Sequence, residues 1–295
     1  MKKTVFTGAG VAIVTPMHED GTVNYDVFAQ LLEDQIASGT DAIIACGTTG
    51  ESATLSHQEH VEVLDFAIRR VNKRVPVIAG TGSNDTAYAL ELSLEAQKAG
   101  ADALLMVTPY YNKTSQMGLI RHFTYVADRV NLPIILYNVP SRTGCNIKPE
   151  TFLELSKHPN IVAVKEASGD ISAVAEIAAL CGDDLQLYSG NDDQILPVLA
   201  LGGKGVISVL SNVLPRETHE ICELVFKGDV EGFRCMMLKY LDLIHALFSD
   251  VNPIPVKEAM NLMGMQVGPC RLPLVEMSES GKKNLVEVLK KYSLV

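Results

Sequence analysis

Eight short apolar runs recur along the chain, each followed by a turn containing Gly, Thr or Pro and then by a longer segment of helical period. They lie at residues 10–15, 41–46, 75–79, 103–107, 133–138, 161–165, 186–189 and 205–208. Each is a continuous Val/Ile/Leu/Ala stretch rather than an apolar–polar alternation, the pattern of parallel strands covered on both faces. Between them, residues 25–37, 57–71, 86–99 and 119–130 place apolar side chains three and four apart, as amphipathic helices do. Gly39, Gly100 and Gly182 stand where helix C-caps belong, just ahead of the next run.

Eight such units fill residues 1–228, at about 30 residues each, which predicts an α/β chain folded as a (β/α)8 TIM barrel. A doubly wound open sheet is the competing architecture. It is disfavoured because Gly8-Ala9-Gly10 precedes the first strand and no G-x-G-x-x-G follows it. After Lys227-Gly228-Asp229 the strand signal stops, and residues 230–248, 256–263 and 278–292 read as helices. Residues 229–295 are therefore expected to form a C-terminal helical extension. They are too few for a core of their own and should pack on the barrel or on a second subunit.

Composition narrows the function classes. The 25 basic residues against 35 acidic ones leave a net charge of −10, which disfavours a duplex nucleic-acid binder. With no Trp and 6% aromatics, a base-stacking platform is disfavoured as well. The six cysteines form no C-x-x-C pair, which favours reduced thiols. The opening segment lacks a signal-peptide apolar region, and no apolar run approaches the ~18 residues of a membrane helix. A soluble, cytoplasmic protein is expected.

A parallel barrel carries its chemistry at the C-terminal ends of its strands. Lys165 ends the sixth run. If it points into the barrel, desolvation lowers its pKa and frees a neutral amine for Schiff-base chemistry; if it ends the strand at the surface, it pairs with Glu166. Tyr137 ends the fifth run, either as a proton shuttle or as a core tyrosine with one hydrogen-bond partner. Gly47-Thr48-Thr49-Gly50-Glu51 follows the second run as a tight turn whose N–H groups and hydroxyls suit a small carboxylate, or simply link strand to helix. It lacks the spacing of a Walker phosphate loop. Arg142, just past Tyr137, either clamps a carboxylate or is solvated. Tyr110 and Tyr111 follow Pro109, a pattern common in interface packing. His57 and His60 share a helix face, but without a carboxylate–histidine cluster of ligand spacing no metal is expected. A G-x-S-x-G nucleophile elbow is absent.

These motifs belong together. G-T-T-G-E at 47–51, P-Y-Y at 109–111, Y-N-V-P-S-R-T-G at 137–144 and V-K-E-A-S-G at 164–169 resemble the 4-hydroxy-tetrahydrodipicolinate (dihydrodipicolinate) synthase family. That family lies within the pyruvate-dependent class I aldolase and N-acetylneuraminate lyase superfamily. The resemblance extends to Gly80-Thr-Gly-Ser-Asn84 and Tyr188-Ser-Gly-Asn-Asp192, and so spans the chain. It implies a Schiff base between Lys165 and pyruvate, with Tyr137 moving protons through Thr48 to Tyr111. The tyrosine at position 111 would come from a neighbouring subunit, so a homo-oligomer is implied, at least a dimer and commonly a dimer of dimers. Thr49, Gly190 and the backbone of Ile207 would hold pyruvate, and Arg142 the carboxylate of aspartate 4-semialdehyde. No metal or organic cofactor is implied, since the lysine is itself the electrophilic catalyst.

Thr48 and Arg142 favour this reading over N-acetylneuraminate lyases, which usually carry G-S-T-G-E and lack the arginine. Keto-deoxy sugar acid aldolases are the next relatives, and a catalytically dead keto-acid sensor is the non-enzymatic alternative. Ser52, Ala53, His57, His60, Asn84 and Tyr110 match the feedback site of lysine-inhibited members. Tyr88, however, replaces their ligand-binding glutamate. Loss of that charge-assisted hydrogen bond, worth ~1.5–3 kcal/mol, implies weak or absent lysine inhibition.

Overall fold

The apolar runs form eight parallel strands closed into a barrel in sequence order, as a computed structural model describing residues 2–295 shows. The strands are β1 (Gly8–Ala12), β2 (Ala42–Ala45), β3 (Val77–Gly80), β4 (Ala103–Val107), β5 (Ile134–Asn138), β6 (Ile161–Glu166), β7 (Gln186–Ser189) and β8 (Gly205–Ser208). β8 pairs with β1, Ile207 opposite Gly10, so the sheet has no free edge.

Helices α1 (Tyr25–Ala37), α2 (His57–Val71), α3 (Thr86–Ala99) and α4 (Gln116–Ala127) follow the first four strands. After β5 come the four-residue α5 (Pro140–Thr143) and then α6 (Pro149–Ser156). α7 (Ile171–Cys181), α8 (Ile195–Ala200) and α9 (Pro215–Phe226) complete the ring. Local sequence sets their ends. Ser56 and Glu59 form a reciprocal capping box at the start of α2, and Gly100 ends α3 at φ 94°.

Several boundaries differ from the sequence expectation by up to three residues, and two of these differences have a clear local cause. β1 begins at Gly8, so Gly8-Ala9-Gly10 belongs to the strand rather than preceding it. Gly8 lies in register with Gly205, where a Cβ would come within 1.9 Å of the Gly8 carbonyl oxygen; close backbone approach, not a turn, explains these glycines. α4 starts at Gln116, three residues earlier than periodicity alone suggests, because the Ser115 hydroxyl accepts the Gly118 N–H and caps a polar first turn.

The apolar residues divide between the barrel interior and the layer between strands and helices. At the N-terminal end, Phe6 stacks on Tyr188 with ring centroids 4.4 Å apart. The Tyr188 hydroxyl donates to the Phe6 carbonyl at 2.6 Å, which satisfies the one polar atom buried in that plug. Beyond the ring, α10 (Val230–Leu247), α11 (Ile254–Leu262) and α12 (Glu279–Lys291) pack against one another, and α10 also packs on α9. No helix among the described residues is long and apolar enough to cross a membrane.

Candidate active site

Lys165 points into the barrel and is 5% exposed. Strand alternation sends Glu166 the other way, where it accepts from Asn138 Nδ2 at 2.9 Å and from the Ser168 N–H at 2.6 Å. The ion pair between these neighbours does not form. Burial instead lowers the Lys165 pKa to about 8; the carboxylate of Asp192 raises it and the charge of Arg142 lowers it further. Gly190 makes room for this side chain, since a Cβ there would stand 3.2 Å from Lys165 Cγ and 2.6 Å from Ala167 Cβ.

Tyr137 is the register partner of Lys165 across β5 and β6, and Lys165 Nζ lies 4.4 Å from the Tyr137 ring centroid. Burial raises the phenol's pKa, while Arg142 and the Thr48 side chain pull it down. The group therefore holds its proton at neutral pH but sits beside groups that favour giving it up.

The Gly47-Thr48-Thr49-Gly50-Glu51 turn overhangs this pair from β2. Glu51 adopts a left-handed conformation at φ 55°, and its N–H closes the turn on the Thr48 carbonyl at 3.1 Å. Thr49 is buried, and its hydroxyl oxygen accepts from Asn252 Nδ2 at 3.0 Å, leaving the hydroxyl proton free to be donated. Arg142, on α5, is exposed and donates through Nη2 to the Asn252 carbonyl at 3.2 Å. Thr48, Arg142 and Asn252 line one cavity of about 400 Å³ at the C-terminal mouth. Ile207 is buried in the barrel interior on β8.

Tyr111 does not join this group. It is 91% exposed, in a loop where it adopts φ 65°. Of the residues matching a feedback site, Ser52, Ala53, His60 and Tyr110 line the same cavity as Arg142, together with Tyr88. His57 is exposed, its ring 5.8 Å from that of Tyr88 and its Nε2 3.9 Å from the Glu91 carboxylate. Asn84 lines a neighbouring groove, and its carbonyl accepts from Asn112 at 2.9 Å. His60 is a satisfied core histidine, with Nε2 2.8 Å from the Gly80 carbonyl.

Two contributors escaped the sequence reading. Asp192 is fully buried beyond Gly190; one oxygen accepts the Val209 and Leu210 N–H groups at 3.1 and 2.9 Å, and the other has no partner. Its motif was visible, but nothing local showed that it would sense Lys165. Asn252 sits in what reads as an inter-helix Pro-rich break, about 200 residues from the threonine it contacts.

Known proteins share this sequence and fold. The Dihydrodipicolinate synthetase family matches residues 5–292. A protein of Lachnoclostridium phytofermentans named 4-hydroxy-tetrahydrodipicolinate synthase is 58% identical over 292 residues, covering 99% of each chain. One of the same name from Acetivibrio thermocellus is 55% identical over the full length of both. The crystal structure of dihydrodipicolinate synthase from Aquifex aeolicus superposes with a TM-score of 0.96 at 46% identity, over 98% of this chain and 99% of that one. A buried lysine and tyrosine in register at the mouth of a closed barrel, with whole-length identity above half, leave one assignment: the chain belongs to the dihydrodipicolinate synthetase family.

Proposed function

We propose that the protein condenses pyruvate with L-aspartate 4-semialdehyde through a Schiff base on Lys165, giving 4-hydroxy-tetrahydrodipicolinate, the first committed step of diaminopimelate and lysine biosynthesis. The observation that carries this is a desolvated lysine inside the barrel, beside a buried phenol and under a turn of hydroxyls. Neutral Lys165 adds to the pyruvate carbonyl, and loss of water from the carbinolamine leaves an imine. The imine is an electron sink, so a methyl proton departs and an enamine forms. The enamine carbon attacks the semialdehyde carbonyl carbon, and the resulting alkoxide takes a proton. The substrate's amino group then attacks the imine carbon, closing the ring and releasing Lys165. The sum is pyruvate plus semialdehyde giving product and one water.

In this reading Tyr137 donates and accepts the protons, with Thr48 linking it to Tyr111 of a neighbouring copy. The nearly complete exposure of Tyr111 supports that supply across an interface, and with it a homo-oligomer, a dimer of dimers. Thr49, Gly190 and the Ile207 backbone hold pyruvate; Arg142 holds the semialdehyde carboxylate. The catalytic unit is the barrel of residues 1–228, with residues 229–295 packed on it. The six free cysteines suit a reducing cytoplasm. Assayed with pyruvate and, in turn, aspartate semialdehyde, N-acetylmannosamine and small aldehydes, the enzyme is expected to turn over the first alone at a substantial rate. Preference for N-acetylmannosamine would shift the assignment to a lyase.

Lysine sensitivity is expected to be weak. Tyr88 offers the cavity a phenol where a carboxylate would meet an ammonium group, and the nearby Glu91 carboxylate lies against His57. Initial rates with L-lysine in the submillimolar range should stay close to the uninhibited value; strong inhibition there contradicts this assignment of Tyr88.

A further inference from the structure

The mechanism above leaves one buried ion pair unused. Glu51 ends the turn that carries Thr48 and Thr49, and its side chain is 0% exposed; Lys257 on α11, 2% exposed, donates to Glu51 Oε1 at 2.8 Å. The same ammonium donates to the Thr15 carbonyl at 3.2 Å and the Pro269 carbonyl at 2.6 Å, and Glu51 Oε2 accepts the Arg271 N–H at 2.8 Å. All three donors of the lysine and both oxygens of the glutamate are thus occupied. Burying an ion pair is a poor source of stability in itself, because desolvating both charges offsets their attraction. What this pair does is geometric. It ties a turn with a left-handed non-glycine residue to the C-terminal helical segment.

The surrounding bonds act in the same direction. Thr15 Oγ1 donates to the Gly50 carbonyl at 2.7 Å, and Asn252, five residues before Lys257, holds both the Thr49 hydroxyl and Arg142. We propose that Lys257 is a positioning residue for the reaction: acting through Glu51, it fixes the turn so that the Thr48 and Thr49 hydroxyls stand over Lys165. This rests on the reading of Thr49 as a holder of pyruvate. Lys257 touches no reacting atom, so its loss misplaces donors without removing the nucleophile.

The test uses Lys257→Met and the double variant Lys257→Met/Glu51→Gln in the full chain. The single variant strands a buried carboxylate and should melt at a lower temperature; the double variant removes that stranded charge and should recover much of the loss. In both, KM for pyruvate is expected to rise about tenfold or more, the effect of misplacing one hydrogen bond at a site. Borohydride with saturating pyruvate should still label Lys165 to the wild-type extent. A KM that is unchanged in both variants, or that recovers together with the melting temperature, overturns the proposal, because the pair is then only structural. Failure of even the double variant to fold does the same. Absence of turnover of pyruvate and semialdehyde by the unmodified enzyme would instead overturn the function it rests on.

Discussion

A Lys165→Met variant is expected to fold normally and to lose kcat/KM by on the order of 10⁴-fold or more, as enzymes do when their covalent nucleophile is removed. Methionine nearly matches the lysine stem in length and needs no hydration, so it fills the space beside Gly190 without leaving a hole or a buried charge. The melting temperature should hold or rise, which separates lost chemistry from lost structure. The pH profile of the unmodified enzyme carries the same information. With the amine's pKa lowered to about 8, roughly a tenth is neutral at pH 7, against roughly one part in 3,000 for an unperturbed lysine. Only the neutral amine adds to pyruvate, so kcat/KM for pyruvate should climb with pH and level off above about 8.

The second large effect is expected from Tyr137→Phe, a fall in kcat of about 10²- to 10⁴-fold, the range of a positioned proton-transfer group. Phenylalanine keeps the ring over which Lys165 Nζ sits at 4.4 Å, so the substitution removes a proton donor while sparing the contact that surrounds the amine. The acid limb of the pH profile should stay where it is in the unmodified enzyme, and pyruvate should still be trapped on Lys165, more slowly. A displaced limb with little loss of kcat would mean that Tyr137 acts on the amine's charge and not on the protons of the reaction.

How much of this could be read from sequence follows from the range of the interactions. The barrel was legible because parallel strands covered on both faces leave continuous apolar runs, and β4, β7 and β8 fall at the expected residues. The start of β1 was placed two residues late because a glycine required by a neighbouring strand looks, in sequence, like a turn. Lys165 and Tyr137 stood out as polar residues closing apolar runs, and barrel geometry makes such positions neighbours. Asn252, Lys257 and Asp192 did not stand out, since each acts on residues of a different strand-end loop: Asn252 on Thr49, Lys257 on Glu51 and Asp192 on the backbone after β8. No local period encodes such contacts. The net charge was least informative. A protein at −10 can bind carboxylate-bearing substrates only if positive charge and N–H donors are placed locally, and here Arg142 and the threonine turn lie at one mouth.

Everything in the proposed reaction depends on a covalent imine between Lys165 and pyruvate. Incubating the enzyme with pyruvate and borohydride, then measuring intact mass and mapping the modified peptide, tests it most directly. One reduced pyruvate adduct per chain, located on Lys165 and accompanied by loss of activity, is the predicted result. An unmodified Lys165, in enzyme that turns over under the same conditions before reduction, would contradict it.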